Sequence, residues 1–159
     1  MIQSKRIDPL LKRAQDHEGE VARDLAERQR TLDTHLSRLE ELRRYAEEYA
    51  SQQMANAQMA ATSPAQLLNR RAFLDRLDSA VEQQQLTVDG NREKVEAERA
   101  RLLLASRDKQ VLEQLAASYR AQEKVVTDRR DQREMDDLGA RRARQAQAAD
   151  RDEEQGGQP

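Results

Sequence analysis

Residues 74–102 read LDRLDSAVEQQQLTVDGNREKVEAERARL, and this stretch decides the fold. An aliphatic residue recurs in it at every seventh position: Leu74, Val81, Val88, Val95 and Leu102. A seven-residue repeat places these side chains along one stripe of a helix, and a second helix must cover that stripe. The stretch therefore predicts one arm of a coiled coil.

The complementary heptad positions of this arm are also mostly apolar, at Leu77, Ala105, Leu112, Tyr119 and Val126. The tripeptide 89–91, Asp-Gly-Asn, is locally a turn signal. The valine repeat nevertheless crosses it without a change of phase. We therefore prefer a continuous helix, in which the glycine costs about 1 kcal/mol, and keep a turn as the alternative.

An earlier segment has the same pattern, with apolar or small residues at alternating spacings of three and four. These positions are Leu11, Ala14, Val21, Leu25, Leu32, Leu39, Leu42, Ala46 and Tyr49. The chain thus carries two heptad arms, and each can cover the apolar stripe of the other.

The prolines mark where the arms begin. Proline is tolerated in a first helical turn, so Asp8 before Pro9 can cap the first helix. Ser63, Pro64 and Gln66 form a capping-box pattern for the second. We expect an all-α fold of two long helices in an antiparallel coiled-coil hairpin, the second helix longer than the first. The expected bounds are helix 1 about 5–60, a turn about 61–64 and helix 2 about 64–147, in a single domain 1–148 with a disordered tail over 149–159.

A turn at this place pairs residues whose numbers add to about 123. Polar seam residues then become diagonal neighbours and can fix the register, with Arg28 near Glu98, His35 near Asn91 and Glu18 near Lys109. About 30 residues of helix 2, roughly 45 Å at the helical rise, extend past helix 1. Their apolar side chains need a partner, so this extension is a candidate binding element.

Composition excludes several classes of function. Charged residues make up 36% of the chain and aromatics 3%, which leaves little material for a globular interior. There is no cysteine, the net charge is −2, and no apolar run approaches the length of a membrane span. We expect a protein without a membrane span or signal peptide, cytoplasmic, and without a nucleic-acid partner.

The sequence offers no pattern for catalysis, a cofactor or a metal. The two histidines, His17 and His35, lie on one helix about 27 Å apart and cannot share a metal ion. Phosphate-binding loops and nucleophile elbows are absent, and two paired helices form no concave site. We expect a binding protein that is not an enzyme and has no cofactor.

Three of the four aromatic residues, Tyr45, Tyr49 and Phe73, lie on either side of the predicted turn. Tyr49 occupies a seam position and Tyr45 precedes it by one turn, so one ring can pack inward while the other faces outward. This end of the hairpin is either an exposed aromatic binding patch or simply the closed end of the seam.

Three segments together resemble the flagellar export protein FliJ: 39–49 (LEELRRYAEEY), 73–84 (FLDRLDSAVEQQ) and 134–138 (EMDDL). The resemblance covers nearly the whole chain in layout, and about thirty residues carry it. One position departs from the family pattern, because Arg70 stands where an aromatic residue often precedes the phenylalanine by three.

The resemblance implies a coupling subunit of the flagellar type III export apparatus, similar in shape to the stalk of rotary ATPases and peripheral at the inner face of the cell membrane. Its implied partners are the hexameric export ATPase, the membrane export gate protein and empty export chaperones. Positions that match the family's gate contacts are Arg38, Leu42, Tyr45, Tyr49, Phe73, Leu77, Ala80 and Gln84. For the ATPase, the periodicity indicates Leu10, Leu11, Tyr119, Val126, Met135 and Leu138.

Two other functions remain open. The chain can be a generic coiled-coil scaffold or secretion chaperone, in which case self-association covers its free arm. Binding of nucleic acid through the arginines at 129–130 and 141–142 is a weaker alternative, since acidic residues neutralise the first pair.

Overall fold

A computed structural model describes the backbone of residues 2–59 and 63–157, and the side chains of 3–56 and 63–157. It contains helix α1, Ile2–Met59, and helix α2, Pro64–Gly156, which contact each other as an antiparallel pair. With 93 residues against 58, α2 is the longer helix. The predicted all-α coiled-coil hairpin with a longer second arm is confirmed.

Ser63 caps the N-terminus of α2. The backbone N–H of Gln66 donates to Ser63 Oγ at 3.3 Å, and that of Leu67 donates to the Ser63 carbonyl at 3.1 Å. The Ser63 side chain thus satisfies one of the N–H groups that a helix start leaves free, and the Ser63 carbonyl accepts the first backbone hydrogen bond of α2. Most of the predicted turn, at residues 61–62, lies outside the described residues.

Internal contacts group the chain into two units. The hairpin unit is Ala14–Lys109, and its buried core is Val21, Leu39, Leu77, Val88, Val95 and Ala105. Every apolar or small residue predicted for the seam within this unit is buried or half-buried, whereas the predicted polar seam residue Arg28 is exposed. Heptad periodicity therefore identified the packed stripe of both arms correctly, because only that stripe is covered in a two-helix pair.

The terminal unit is Met1–Arg13 with Gln110–Pro159. Here α1 begins at Ile2 and runs through Pro9, so the predicted cap at Asp8 is wrong. Ile7 and Ser4 are buried against α2, and Asp8 accepts a 2.7 Å hydrogen bond from Arg120. The seam extends one heptad beyond the predicted start, and this packing holds the helix together where proline lacks an N–H.

The C-terminal end of α2 also lies beyond its predicted place. The sequence predicts a helix end near 147 and a tail from 149, whereas α2 continues to Gly156. No proline or glycine occurs between Gly139 and Gly156, and alanine, glutamine, arginine and glutamate are good helix formers. Intrinsic propensity therefore favours helix in this polar segment without any packing.

Gly90 is an interior residue of α2, so the turn at 89–91 does not form. Its φ is not positive, and a Cβ at this position would meet nothing within 4 Å. Gly90→Ala should therefore raise the free energy of unfolding by about 1 kcal/mol, seen as a higher urea midpoint. The reverse change Ala97→Gly is the matched control and should lower it by a similar amount. Destabilisation by Gly90→Ala would favour the turn.

Candidate partner-binding surfaces

The three aromatic rings of the hairpin unit form one cluster. The ring of Phe73 contacts Tyr49 at a centroid distance of 4.6 Å and Tyr45 at 6.5 Å, both in edge-to-face geometry. Tyr49 and Phe73 are half-buried, while Tyr45 is 51% exposed. As predicted, one tyrosine, Tyr49, faces inward and the other, Tyr45, faces outward. The ring of Tyr45 packs against Phe73, which in turn packs against Tyr49.

The eight predicted gate-contact positions form two rows, one on each helix of the hairpin unit. In each row the residues follow spacings of four, three and four, so they share a helix face. The ring contacts of Phe73 join the two rows. Exposure within the set is uneven: Arg38 and Tyr45 are exposed, Leu77 is buried, and Leu42, Tyr49, Phe73, Ala80 and Gln84 are half-buried. Tyr45 is thus the most accessible large apolar group of the set, and Leu77 belongs to the buried core.

Gln84 also has a partner that the sequence did not indicate. Its side-chain amide donates to the backbone carbonyl of His35 at 3.0 Å and lies 3.2 Å from His35 Nδ1. The predicted neighbour of His35, Asn91, instead donates to the Thr87 carbonyl of its own helix at 2.8 Å. In the described part of the chain His35 and Asn91 are therefore not hydrogen-bonded to each other, and their expected proximity stays a prediction. Asn91 can satisfy its amide within one helical turn, which leaves His35 to the longer glutamine.

Glu18 and Lys109 form a second polar layer of the seam, as the sequence predicted. Lys109 Nζ donates to Glu18 Oε1 at 3.0 Å, and both side chains are about three-quarters covered. This hydrogen bond lowers the pKa of Glu18, and hydrogen bonding to Ser106 and the charge of Lys109 act in the same direction against desolvation. Arg28 and Glu98 line one groove, but Glu98 pairs with Arg101 at 2.9 Å.

In the terminal unit, polar contacts fasten the start of α1 to α2. Ser4 Oγ donates to Glu123 at 2.7 Å, and its backbone N–H donates to the same carboxylate at 3.2 Å. Hydrogen bonding lowers the pKa of the Glu123 carboxyl to about 2, and Ser4 contributes through its hydroxyl and its backbone N–H. Sequence periodicity could have indicated this layer, because Ser4 and Ile7 continue the spacing of the seam.

The predicted ATPase-binding residues all belong to the terminal unit but do not form one surface. Leu11 and Tyr119 are half-buried in the seam, whereas Leu10, Val126, Met135 and Leu138 are exposed. Val126 was predicted as a seam residue and is 66% exposed, because α1 no longer covers α2 at that point. Nine residues separate Val126 from Met135, which places them on opposite sides of the helix. Any partner here must contact more than one face.

Beyond Glu123, every described residue of α2 is exposed. Short-range contacts such as Arg130 with Glu134 at 3.3 Å and Gln132 with Asp136 at 3.1 Å support this extension. At its base, Gln3, Glu123, Val126 and Arg130 contribute to a groove of about 620 Å³. The extension is therefore a helix that α1 does not cover, and its whole circumference is accessible.

The described residues contain no cluster of three or more histidine, cysteine, aspartate or glutamate side chains that could hold a metal ion. Over the same residues, no helix is both long and apolar enough to cross a membrane.

Comparison with known families gives one assignment. The family model described as "Flagellar FliJ protein" matches residues 3–148, which include α1 and most of α2. Among curated proteins and solved structures, no significant match to the chain was found. The family match spans the aromatic cluster and the base of the extension, and with it the resemblance of the three sequence segments is confirmed. The chain belongs to the flagellar FliJ family.

Proposed function

We propose that this chain is a non-enzymatic coupling subunit of the flagellar type III export apparatus. It binds the export ATPase ring through the terminal unit and the membrane export gate protein through the aromatic surface of the hairpin unit. Empty export chaperones are further partners, and the protein works in the cytoplasm at the inner face of the cell membrane. The family match over residues 3–148 carries this proposal.

The distribution of exposed apolar side chains supports two different binding events. Tyr45 is exposed above Phe73 and Tyr49 in the hairpin unit. Val126, Met135 and Leu138 are exposed in the terminal unit. Tyrosine is among the residues that most often dominate binding energy, especially when neighbouring side chains hold its ring in place. Exposed aliphatic residues on an uncovered helix suit a groove or pore lined by other helices.

Single substitutions should separate the two events. Tyr45→Ala should weaken binding to the gate protein at least tenfold, about 1.4 kcal/mol, because it removes the accessible ring of the aromatic surface. It should leave stimulation of the ATPase unchanged. Val126→Asp should do the reverse, since a carboxylate on an apolar contact costs desolvation. Titration calorimetry with the purified gate domain and a phosphate-release assay with the ATPase measure the two effects.

Each variant is the control for the other, because both residues are exposed and neither belongs to the buried core. Circular dichroism should show unchanged helix content. Two variants that bind both partners as the parent does would contradict the proposal. Equal losses for both partners would contradict the assignment of separate surfaces.

A further inference from the structure

The end of the hairpin unit at which α1 ends and α2 begins has an unbalanced charge. No aspartate or glutamate occurs from Tyr49 to Leu74, which is the longest acid-free stretch of a chain in which 36% of the residues are charged. The charged residues within this stretch are Arg70 and Arg71. This end of the hairpin therefore carries positive charge that its own sequence does not neutralise.

The two arginines differ in their surroundings. Arg70 is half-buried, whereas Arg71 is exposed. A helical arginine can be neutralised by acids three or four residues away, and Arg71 has Asp75 at such a position. Among the described residues, neither arginine takes part in an ion pair. The corresponding neighbours of Arg70 contain no acid: Gln66, Leu67, Phe73 and Leu74.

The facing segment of α1 supplies no counter-charge either. Tyr49 contacts Phe73 across the seam. In an antiparallel pair, one turn forward along α1 meets one turn back along α2, so Gln53 lies close to the level of Arg70. Gln53 is neutral, and its Oε1 is buried without a hydrogen-bond partner in the described part of the chain. This layer of the seam thus combines a partly desolvated cation with an unsatisfied acceptor, and both are costly.

We propose that Arg70 binds a carboxylate of the membrane export gate protein, beside the group that the aromatic surface binds. Arg70 precedes Phe73 by three residues, so the two side chains are neighbours on one face of α2. A guanidinium has five N–H donors, so it can hold a carboxylate through two of them and donate another to Gln53 Oε1. This inference rests on the proposed function and adds the chemical class of the group that is bound.

A protein carboxylate suits this site better than a membrane or a nucleic acid. Anionic membranes are recognised by clusters of about four to eight basic residues, and this end of the hairpin has two. Affinity for nucleic acid likewise depends on the number of phosphates that are neutralised. One half-buried arginine beside aromatic rings is instead typical of the residues that dominate protein–protein binding.

Charge reversal tests the pairing, by titration calorimetry of the full chain with the purified gate domain. Arg70→Glu should weaken binding at least tenfold, because a carboxylate then meets a carboxylate in a partly desolvated contact. Arg71→Glu, the same charge change at the exposed neighbour, should weaken binding about threefold or less. Arg70→Gln should reduce both the affinity and its dependence on NaCl concentration. Equal losses for Arg70→Glu and Arg71→Glu would overturn the proposal, because only net charge would then matter.

Complementation tests the chemistry of the bound group. A panel of gate-domain variants, each with one exposed carboxylate changed to lysine, is titrated with the Arg70→Glu chain. One of them should bind this chain at least tenfold more tightly than the parent gate domain does, since an ion pair of reversed polarity forms. A panel without any recovery would contradict a carboxylate partner. Binding to phosphatidylglycerol vesicles that is lost in Arg70→Glu, while gate binding is unchanged, would overturn the proposal in favour of a lipid headgroup.

The same titrations separate this inference from the proposed function. If Tyr45→Ala leaves gate binding unchanged, the assignment of the gate to the aromatic surface fails. If Tyr45→Ala weakens gate binding and Arg70→Glu does not, the carboxylate contact alone fails. Urea denaturation followed by circular dichroism checks that the Arg70 variants remain folded. Arg70→Gln, which adds no negative charge, decides the matter if Arg70→Glu unfolds.

Discussion

Val88→Asp should lower the free energy of unfolding by about 4 kcal/mol or more, the largest effect expected of any single change in the hairpin unit. Val88 is 0% exposed and occupies the middle of the heptad series that first indicated the fold. A carboxylate at this point must either lose its water without gaining a partner or force the two helices apart. In a two-helix pair no second layer of core can absorb that separation.

The control is the same substitution at an exposed valine of the same helix. Val111 is 62% exposed, so Val111→Asp should change the free energy of unfolding by no more than about 0.5 kcal/mol. Val88→Ala should fall between them, with a loss of about 2 kcal/mol for the buried methyl groups. Urea denaturation followed by circular dichroism measures all three. Similar midpoints for Val88→Asp and Val111→Asp would show that the seam does not hold the helices together.

The fold was predictable because a coiled coil is encoded by a short repeat. Each helix needs only one apolar stripe, and its period can be read directly from positions such as Leu39, Val88 and Val95. The cap at Ser63 was predictable for the same reason, since it depends on residues only three and four positions away. Local patterns of this kind hardly depend on what lies elsewhere in the chain.

Helix ends were harder to predict because they depend on more than local signals. Pro9 is a proper helix-start signal, yet contacts of Ile7 and Ser4 with α2 carry the helix past it. The gate-contact set came from family resemblance, which assigns positions but not exposure. The heptad pattern, not the resemblance, separates the exposed Tyr45 from the buried Leu77, because it places Leu77 in the seam. The hydrogen-bond partner of His35 was missed for a related reason, because Gln84 lies two helical turns before the expected neighbour Asn91.

Acidification should destabilise the hairpin unit through Glu18. Its carboxylate accepts the Lys109 hydrogen bond inside the seam, and that contact holds the folded-state pKa of Glu18 below the ordinary 4.5. The folded chain therefore takes up this proton less readily than the unfolded chain. The stabilisation is complete above about pH 4.5 and is lost as the pH falls from there through the lowered pKa.

Glu18→Gln removes the titrating group while keeping the side-chain shape. The parent should be more stable than this variant at neutral pH, and the difference should shrink as the pH falls below 4.5, in urea midpoints measured across the acid range. Glu20→Gln, an exposed position on the same helix, controls for the loss of one negative charge. With Lys109→Gln as background, Glu18→Gln should lose its pH-dependent effect, because the hydrogen bond that lowers the pKa is gone. A difference between parent and Glu18→Gln that stays constant over the acid range would mean that Lys109 does not favour the ionised carboxylate, and the polar layer would then act through shape alone.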